Sequence, residues 1–160
     1  MYVDKKTGLP NREKLNIYIG EMAGKVLPEA FTCFTLNLDN LSELTKRFGY
    51  TVGDGVLKDF AGLVQLMGDT EGMRGYNGVG RFVVFFEECS SKKAAAMIRI
   101  LDNQVEEYNS LNPEYPIRYT AAWATTEETD TYEIRELLRL SQKKWKQMEK
   151  EKKDKTEEET

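Results

Sequence analysis

The chain contains no histidine, two cysteines and four prolines among its 160 residues. Without histidine there is no Ser-His-Asp or Cys-His relay and no His-containing zinc site. Cys33 and Cys89 cannot build a disulfide framework; each sits in an apolar run and reads as a small buried residue. No apolar stretch approaches the ~20 residues that span a bilayer. The start, Met1-Tyr2-Val3-Asp4-Lys5-Lys6, has no apolar signal region, so a cytoplasmic domain is expected. Positive charge is not in excess either. Lys and Arg number 23 against 27 Asp and Glu, a net charge of −4, and no basic field for nucleic acid is evident. Carboxylates, amides, hydroxyls, lysines and arginines remain for any chemistry.

What is present suffices for a core: 40% of residues are hydrophobic and 11% aromatic, in a length that suits one domain. Charge gathers at the end, where 13 of residues 143–160 are charged with interspersed signs. That stretch reads as a helix running out into a solvated segment.

Leu15, Tyr18, Ile19 and Met22 recur at helical spacing behind Pro10-Asn11, predicting a helix over 11–25. Phe31 to Leu38 is short and rich in β-formers and predicts a buried strand. Leu41, Leu44 and Phe48 line a short helix that Gly49 can end in a left-handed cap. Val56, Phe60, Leu63, Val64 and Met67 mark a helix over 52–67. Strands follow at 73–77 and 81–87, with Gly78-Val79-Gly80 between them as a hairpin turn.

Ser90-Ser91 caps a helix carrying Ala94, Met97, Leu101 and Val105, broken at Asn112-Pro113. Ile117–Ala124 predicts a strand, and a closing helix over 131–150 buries Ile134, Leu137, Leu138, Ser141 and Trp145. With the first helix and one of the adjacent pair set aside, the order is β-α-β-β-α-β. That is an α+β, ferredoxin-like pattern, with helices expected on one face of a four-stranded antiparallel sheet.

Three segments now resemble one family. Asp4-Lys5-Lys6-Thr7-Gly8-Leu9-Pro10-Asn11-Arg12 is similar to the D-x-L-T-G-L-x-N-R segment that opens GGDEF domains, the diguanylate cyclases of bacterial signalling. Asn37-Leu38-Asp39-Asn40-Leu41, with Phe48-Gly49-Tyr50-Thr51-Val52-Gly53-Asp54, resembles their D-x-D-x-F…G-H-x-x-G-D stretch. Gly78-Val79-Gly80-Arg81-Phe82 stands where the family carries Gly-Gly-Asp/Glu-Glu-Phe. The resemblance implies a nucleotidyl-cyclase version of the ferredoxin-like fold, with residues 1–150 as a degenerate GGDEF domain. It leaves 151–160 as a charged tail or linker to a further domain.

In that family two carboxylates hold Mg²⁺, which draws two GTP molecules together to make cyclic di-GMP. Mg²⁺ needs hard anionic oxygens. Here the two metal positions are Asn37 and Gly80, and Arg81 replaces an acid. A guanidinium about 5 Å from Mg²⁺ costs about 6–7 kcal/mol at an effective dielectric of ~20. Asp39 is a conceivable substitute ligand but reads more simply as the cap of the next helix.

The nucleotide-contacting positions fall on Asn37, Leu38, Thr45, Asp54 and Arg81. Of the guanine-reading pair only Asp54 keeps the family residue, since Thr45 replaces Asn. The family's inhibitory R-x-x-D falls on Asp69 and Gly72 and is absent.

The resemblance, with these departures, implies no catalytic residue and no resident cofactor. Mg²⁺ and GTP enter only where residual binding persists. It implies a regulatory or interaction module in cyclic di-GMP signalling, partnered by sensor or EAL phosphodiesterase domains and meeting a second copy as a homodimer. No nucleic acid and no membrane insertion are expected. Two alternatives stay open: a GTP-binding sensor controlling a linked EAL phosphodiesterase, and a weakly active diguanylate cyclase. Arg81 itself reads either as a phosphate clamp or as a solvated strand residue near Glu87 and Glu88.

Overall fold

The computed structural model of the chain describes residues 2–68 and 71–159. Its elements in chain order are α1 (Arg12–Met22), β1 (Thr32–Leu38), α2 (Leu41–Phe48), α3 (Tyr50–Gln65), β2 (Gly72–Gly78), β3 (Arg81–Phe86), α4 (Ser91–Leu111), β4 (Tyr119–Thr125), α5 (Thr126–Thr129) and α6 (Ile134–Glu159). The four strands form one antiparallel sheet in the order β2-β3-β1-β4. The α+β, ferredoxin-like order read from the sequence is the one observed.

The caps follow their chemistry. The Asn11 side chain accepts from the Lys14 N–H and the Ser90 hydroxyl from the Lys93 N–H, each satisfying a first-turn donor that the helix cannot. The opening segment is a turn of its own. The Asp4 carboxylate accepts from the backbone and hydroxyl of Thr7, and Gly8 holds φ +76°. The Pro10 carbonyl then accepts from the Tyr76 N–H, fastening the segment to β2.

Helices cover both faces of the sheet, which corrects the one-faced arrangement expected. On one face, Phe34, Leu36, Leu38, Phe82, Val84 and Phe86 pack with α2, α3 and α4. On the other, Cys33, Val83, Phe85 and Ala124 pack with Leu15 and Ile19 of α1 and Ile134 and Leu137 of α6. The α1 helix, set aside in the sequence pattern, builds half of that second layer. This is why β1 reads as a nearly continuous apolar run instead of an alternating one.

Other boundaries differ for local reasons. Gly49 is not a left-handed cap: its φ of 90° comes with an extended ψ of 170°, and it hinges α2 directly into α3. Strand β4 starts at Tyr119 because both backbone groups of Ile117 are taken by the Asn109 side chain of α4. The short α5 has no amphipathic stripe to announce it. Helix α6 continues past 150 to Glu159 without a break. It contains no Gly or Pro, and pairs such as Lys153–Glu149 (3.1 Å) sit at the supporting i,i+4 spacing.

Candidate functional site at the hairpin and the end of the first strand

Side chains alternate across a strand, and the register does the rest. Asn37 pairs with Arg81 on one side and Thr120 on the other. Cys33 and Thr35 of β1 and Val83 and Phe85 of β3 face α6, so Asn37 and Arg81 face it too. Leu38 and Phe82 point the opposite way and are buried beneath α2 and α3.

The hairpin turn is strained and its backbone is committed. Gly78, Val79 and Gly80 hold φ values of +87°, +53° and +80°. For a β-branched residue such as Val79, 89% exposed at the tip, this is an unfavourable conformation. The Gly80 N–H donates to the Tyr76 hydroxyl at 2.8 Å, and its carbonyl accepts from the Leu38 N–H at 2.8 Å. Burial raises the Tyr76 pKa, keeping that hydroxyl neutral. The amide of Gly80 is therefore not free for a phosphate. A Cβ at Gly80 would lie 3.1 Å from the Leu38 carbonyl oxygen. Arg12 fixes the turn's other side, donating from Nη2 to the Asn77 carbonyl at 2.6 Å and from Nε to its amide oxygen at 3.2 Å.

Asp39 does not cap α2, contrary to the expectation; Asn40 occupies the cap position. The Asp39 carboxylate instead accepts from Asn37 Nδ2 at 2.8 Å and from the Thr120 hydroxyl at 2.6 Å. Lys152 of α6 completes the group. Its ammonium donates to the Thr120 hydroxyl at 2.7 Å and the Tyr119 carbonyl at 3.0 Å, and stands 4.0 Å from Asp39 Oδ2.

Arg81 is not a solvated residue beside Glu87 and Glu88. Its guanidinium lies over the Trp145 ring of α6, 4.3 Å from the centroid. Arg81 Nε and Trp145 Nε1 are both buried without a hydrogen-bond partner.

Thr45 and Asp54 lie apart from this group. The Thr45 hydroxyl donates back to the Leu41 carbonyl, and a Cβ on Gly53 would meet it at 2.3 Å, so Thr45 seals the α2–α3 crossing. Asp54 pairs with Lys6 at 3.3 Å on α3, across the sheet from Arg81. Asn37, Gly80 and Arg81 are thus brought to one edge, while Thr45 and Asp54 belong to the other face. Gly72 opens β2; Asp69 lies outside the described residues.

The donor set does not fit Mg²⁺. Asn37 turns its amide nitrogen onto Asp39, Gly80 offers no side chain, and a lysine ammonium already stands beside the Asp39 carboxylate. Among the described residues no three His, Cys, Asp or Glu side chains cluster to hold a metal.

The sequence profile of the diguanylate cyclase GGDEF domain matches residues 1–155. The chain belongs to the GGDEF family. No curated protein matches it. The fold of this GGDEF domain is similar to a diguanylate cyclase/phosphodiesterase from Caldicellulosiruptor saccharolyticus, at TM-score 0.72 and 18% identity, covering 94% of this chain and 88% of that one. It is similar to a sensory box/GGDEF protein from Caulobacter crescentus at TM-score 0.70 and 17% identity, covering 94% and 99%. A Vibrio cholerae LapD fragment with S helix, GGDEF and EAL parts, bound to c-di-GMP, matches at TM-score 0.61 and 15% identity, covering 78% of this chain and 28% of that one.

The sequence reading missed Lys152 and the pairing of Arg81 with Trp145. A signal for Lys152 existed. Trp145, Glu149, Lys152 and Thr156 follow i, i+4, i+7 and i+11, which continues the buried stripe of α6 past the sheet.

Proposed function

We propose that this GGDEF domain makes no cyclic di-GMP and serves as a cytoplasmic regulatory or interaction module in a cyclic di-GMP signalling protein. Its partners on this reading are sensor or EAL domains, as in the LapD fragment whose GGDEF and EAL parts share one chain. The single observation that carries the proposal is Lys152, hydrogen-bonded to Thr120 and 4.0 Å from Asp39. The Asp39 carboxylate at the end of β1 is answered by an internal cation, and neither Asn37 nor Gly80 supplies another acid. A dication entering there meets lysine repulsion, and among the described residues no three acidic side chains cluster to supply the hard oxygens that Mg²⁺ requires. In the described residues no helix is long and apolar enough to cross a membrane.

The test is chromatography of purified protein incubated with GTP and Mg²⁺ over a wide range of protein concentration. The expected result is no cyclic di-GMP. Product that disappears in Asp39→Ala would overturn the reading and identify a diguanylate cyclase built on a relocated ligand.

A further inference from the structure

We infer that helix α4 carries a docking face for a second copy of this chain, on which the two α4 helices lie antiparallel across a two-fold axis at Ile100. The centre of the face is apolar. Ile100 is 58% exposed, and Leu66, at the end of α3 beside it, is 67% exposed. Between them runs a groove of about 220 Å³ with Met67, Met97 and Leu101 among its walls. The face shares no residue with the hairpin or the end of β1, and it is independent of whether the domain makes cyclic di-GMP.

The charges on α4 decide the occupant. Its first half, residues 91–99, carries Lys92, Lys93 and Arg99 and no acid. Its second half, residues 101–111, carries Asp102, Glu106 and Glu107 and no cation. A helix dipole favours the reverse, with anions at the N-terminal end and cations at the C-terminal end. Asp102 and Glu106 also stand as like charges at the i,i+4 spacing, a further cost. Among the described residues no side chain of α4 forms an ion pair that would offset this. Lys93 donates to the Glu88 carbonyl at 3.2 Å, and Asp102 accepts from the Tyr119 hydroxyl.

An antiparallel copy supplies what is missing. Lys93, Ala96, Ile100, Gln104 and Glu107 follow one another at steps of three or four residues and so share one face. A two-fold axis at Ile100 sets residues equally far before and after it against one another. Lys93 of each copy then meets Glu107 of the other, giving two such pairs, and Ala96 meets Gln104. The two helix dipoles are opposed as well, so each cationic end lies beside an anionic one. A two-fold contact requires one patch that is complementary to itself, and α4 has that property. A partner of unrelated sequence would not demand it.

The test is sedimentation equilibrium of the full chain in EDTA without nucleotide, which separates this contact from any that GTP brings about. One helix per copy makes a small interface, so the expected dimer dissociates at roughly a hundred micromolar. Added salt should weaken it severalfold. Ile100→Asp should be monomeric, with circular dichroism confirming that the fold is intact. Lys93→Glu and Glu107→Lys, each alone, set like charges together and should lose about tenfold or more in affinity. Mixed in equal amounts, these two variants should pair with each other at least as tightly as the wild type pairs with itself. A wild type that stays monomeric at millimolar concentration, or a mixture no tighter than its two components, overturns the proposal. A dimer that survives Ile100→Asp but is lost in Val79→Asp belongs to the hairpin edge and overturns it too.

Discussion

The two ends of the central sheet treat their polar groups in opposite ways. At the Phe31 end, the buried side-chain ones among the described residues are closed internally. The Thr126 hydroxyl accepts from the Phe31 N–H and donates to the Pro28 carbonyl, while Thr32 joins Thr125 and the Cys89 carbonyl. All four side chains lie at or below 1% exposure. At the Arg81 end, Asp39 and Lys152 are wet, the hairpin is strained, and two donors are buried without acceptors. Satisfied buried polar groups rigidify a fold, whereas incomplete ones are retained at a cost. The first end holds the domain together, and the second keeps polar groups that the described residues leave without partners.

The largest effect expected from breaking that contrast is at the closed end. Phe31→Ala should cost about 3–5 kcal/mol in urea unfolding, since it empties a fully buried site between α6 and the sheet. Thr126→Val should cost about 1–3 kcal/mol by the same measurement, leaving a buried N–H and a carbonyl unanswered. At the open end, Lys152→Met should change stability by less than about 1 kcal/mol, as exposed ion pairs generally do. Its readout is faster amide exchange over residues 148–157 with 134–145 unchanged, and Lys152→Arg should restore protection. Equal protection in both variants would mean that Lys152 does not fasten the end of α6.

A last test, confined to alkaline pH, sharpens the closed end. Burial pushes the Cys33 thiol up to about 12, against 9.0 unperturbed. The folded state therefore holds its proton where the unfolded chain has lost it. Stability from this group is complete below about pH 9 and declines as pH rises from there toward 12, by about 1 kcal/mol per unit. Relative to its own value at pH 8, the urea midpoint of the wild type should fall further than that of Cys33→Ala as pH rises above 9, so the gap between them narrows. Parallel curves would remove Cys33 as the cause.

Most of the architecture was legible because it is written in periodicity: the stripe Val56, Phe60, Val64 and the β-forming run from Thr32 to Leu38 each specify one element. The second helical layer was not, because nothing in a sequence says which face of a strand buried on both sides a distant helix will take. The loss of acids at Asn37 and Gly80 was visible residue by residue. What replaced them was not visible. Lys152 reaches Thr120 from 32 residues away, and among seven lysines in 143–160 only helix phase distinguishes it. Arg81 read as either a phosphate clamp or a solvated strand residue for a similar reason: its neighbours in sequence are not the residue it stacks on.

A mechanical consequence follows from the length of α6. Its 26 residues make a rod of about 39 Å, unbroken by any glycine or proline. Trp145 sits under it as a fulcrum, wedged at 4% exposure against the sheet edge. The arm from Trp145 to Glu159 is about 21 Å, so a swing of only about 5° at the pivot displaces the far end by about 2 Å. Lys152, about 10 Å along that arm, ties it back to Thr120 and Tyr119, so torque at the tip is shared between that tie and the Arg81–Trp145 stack.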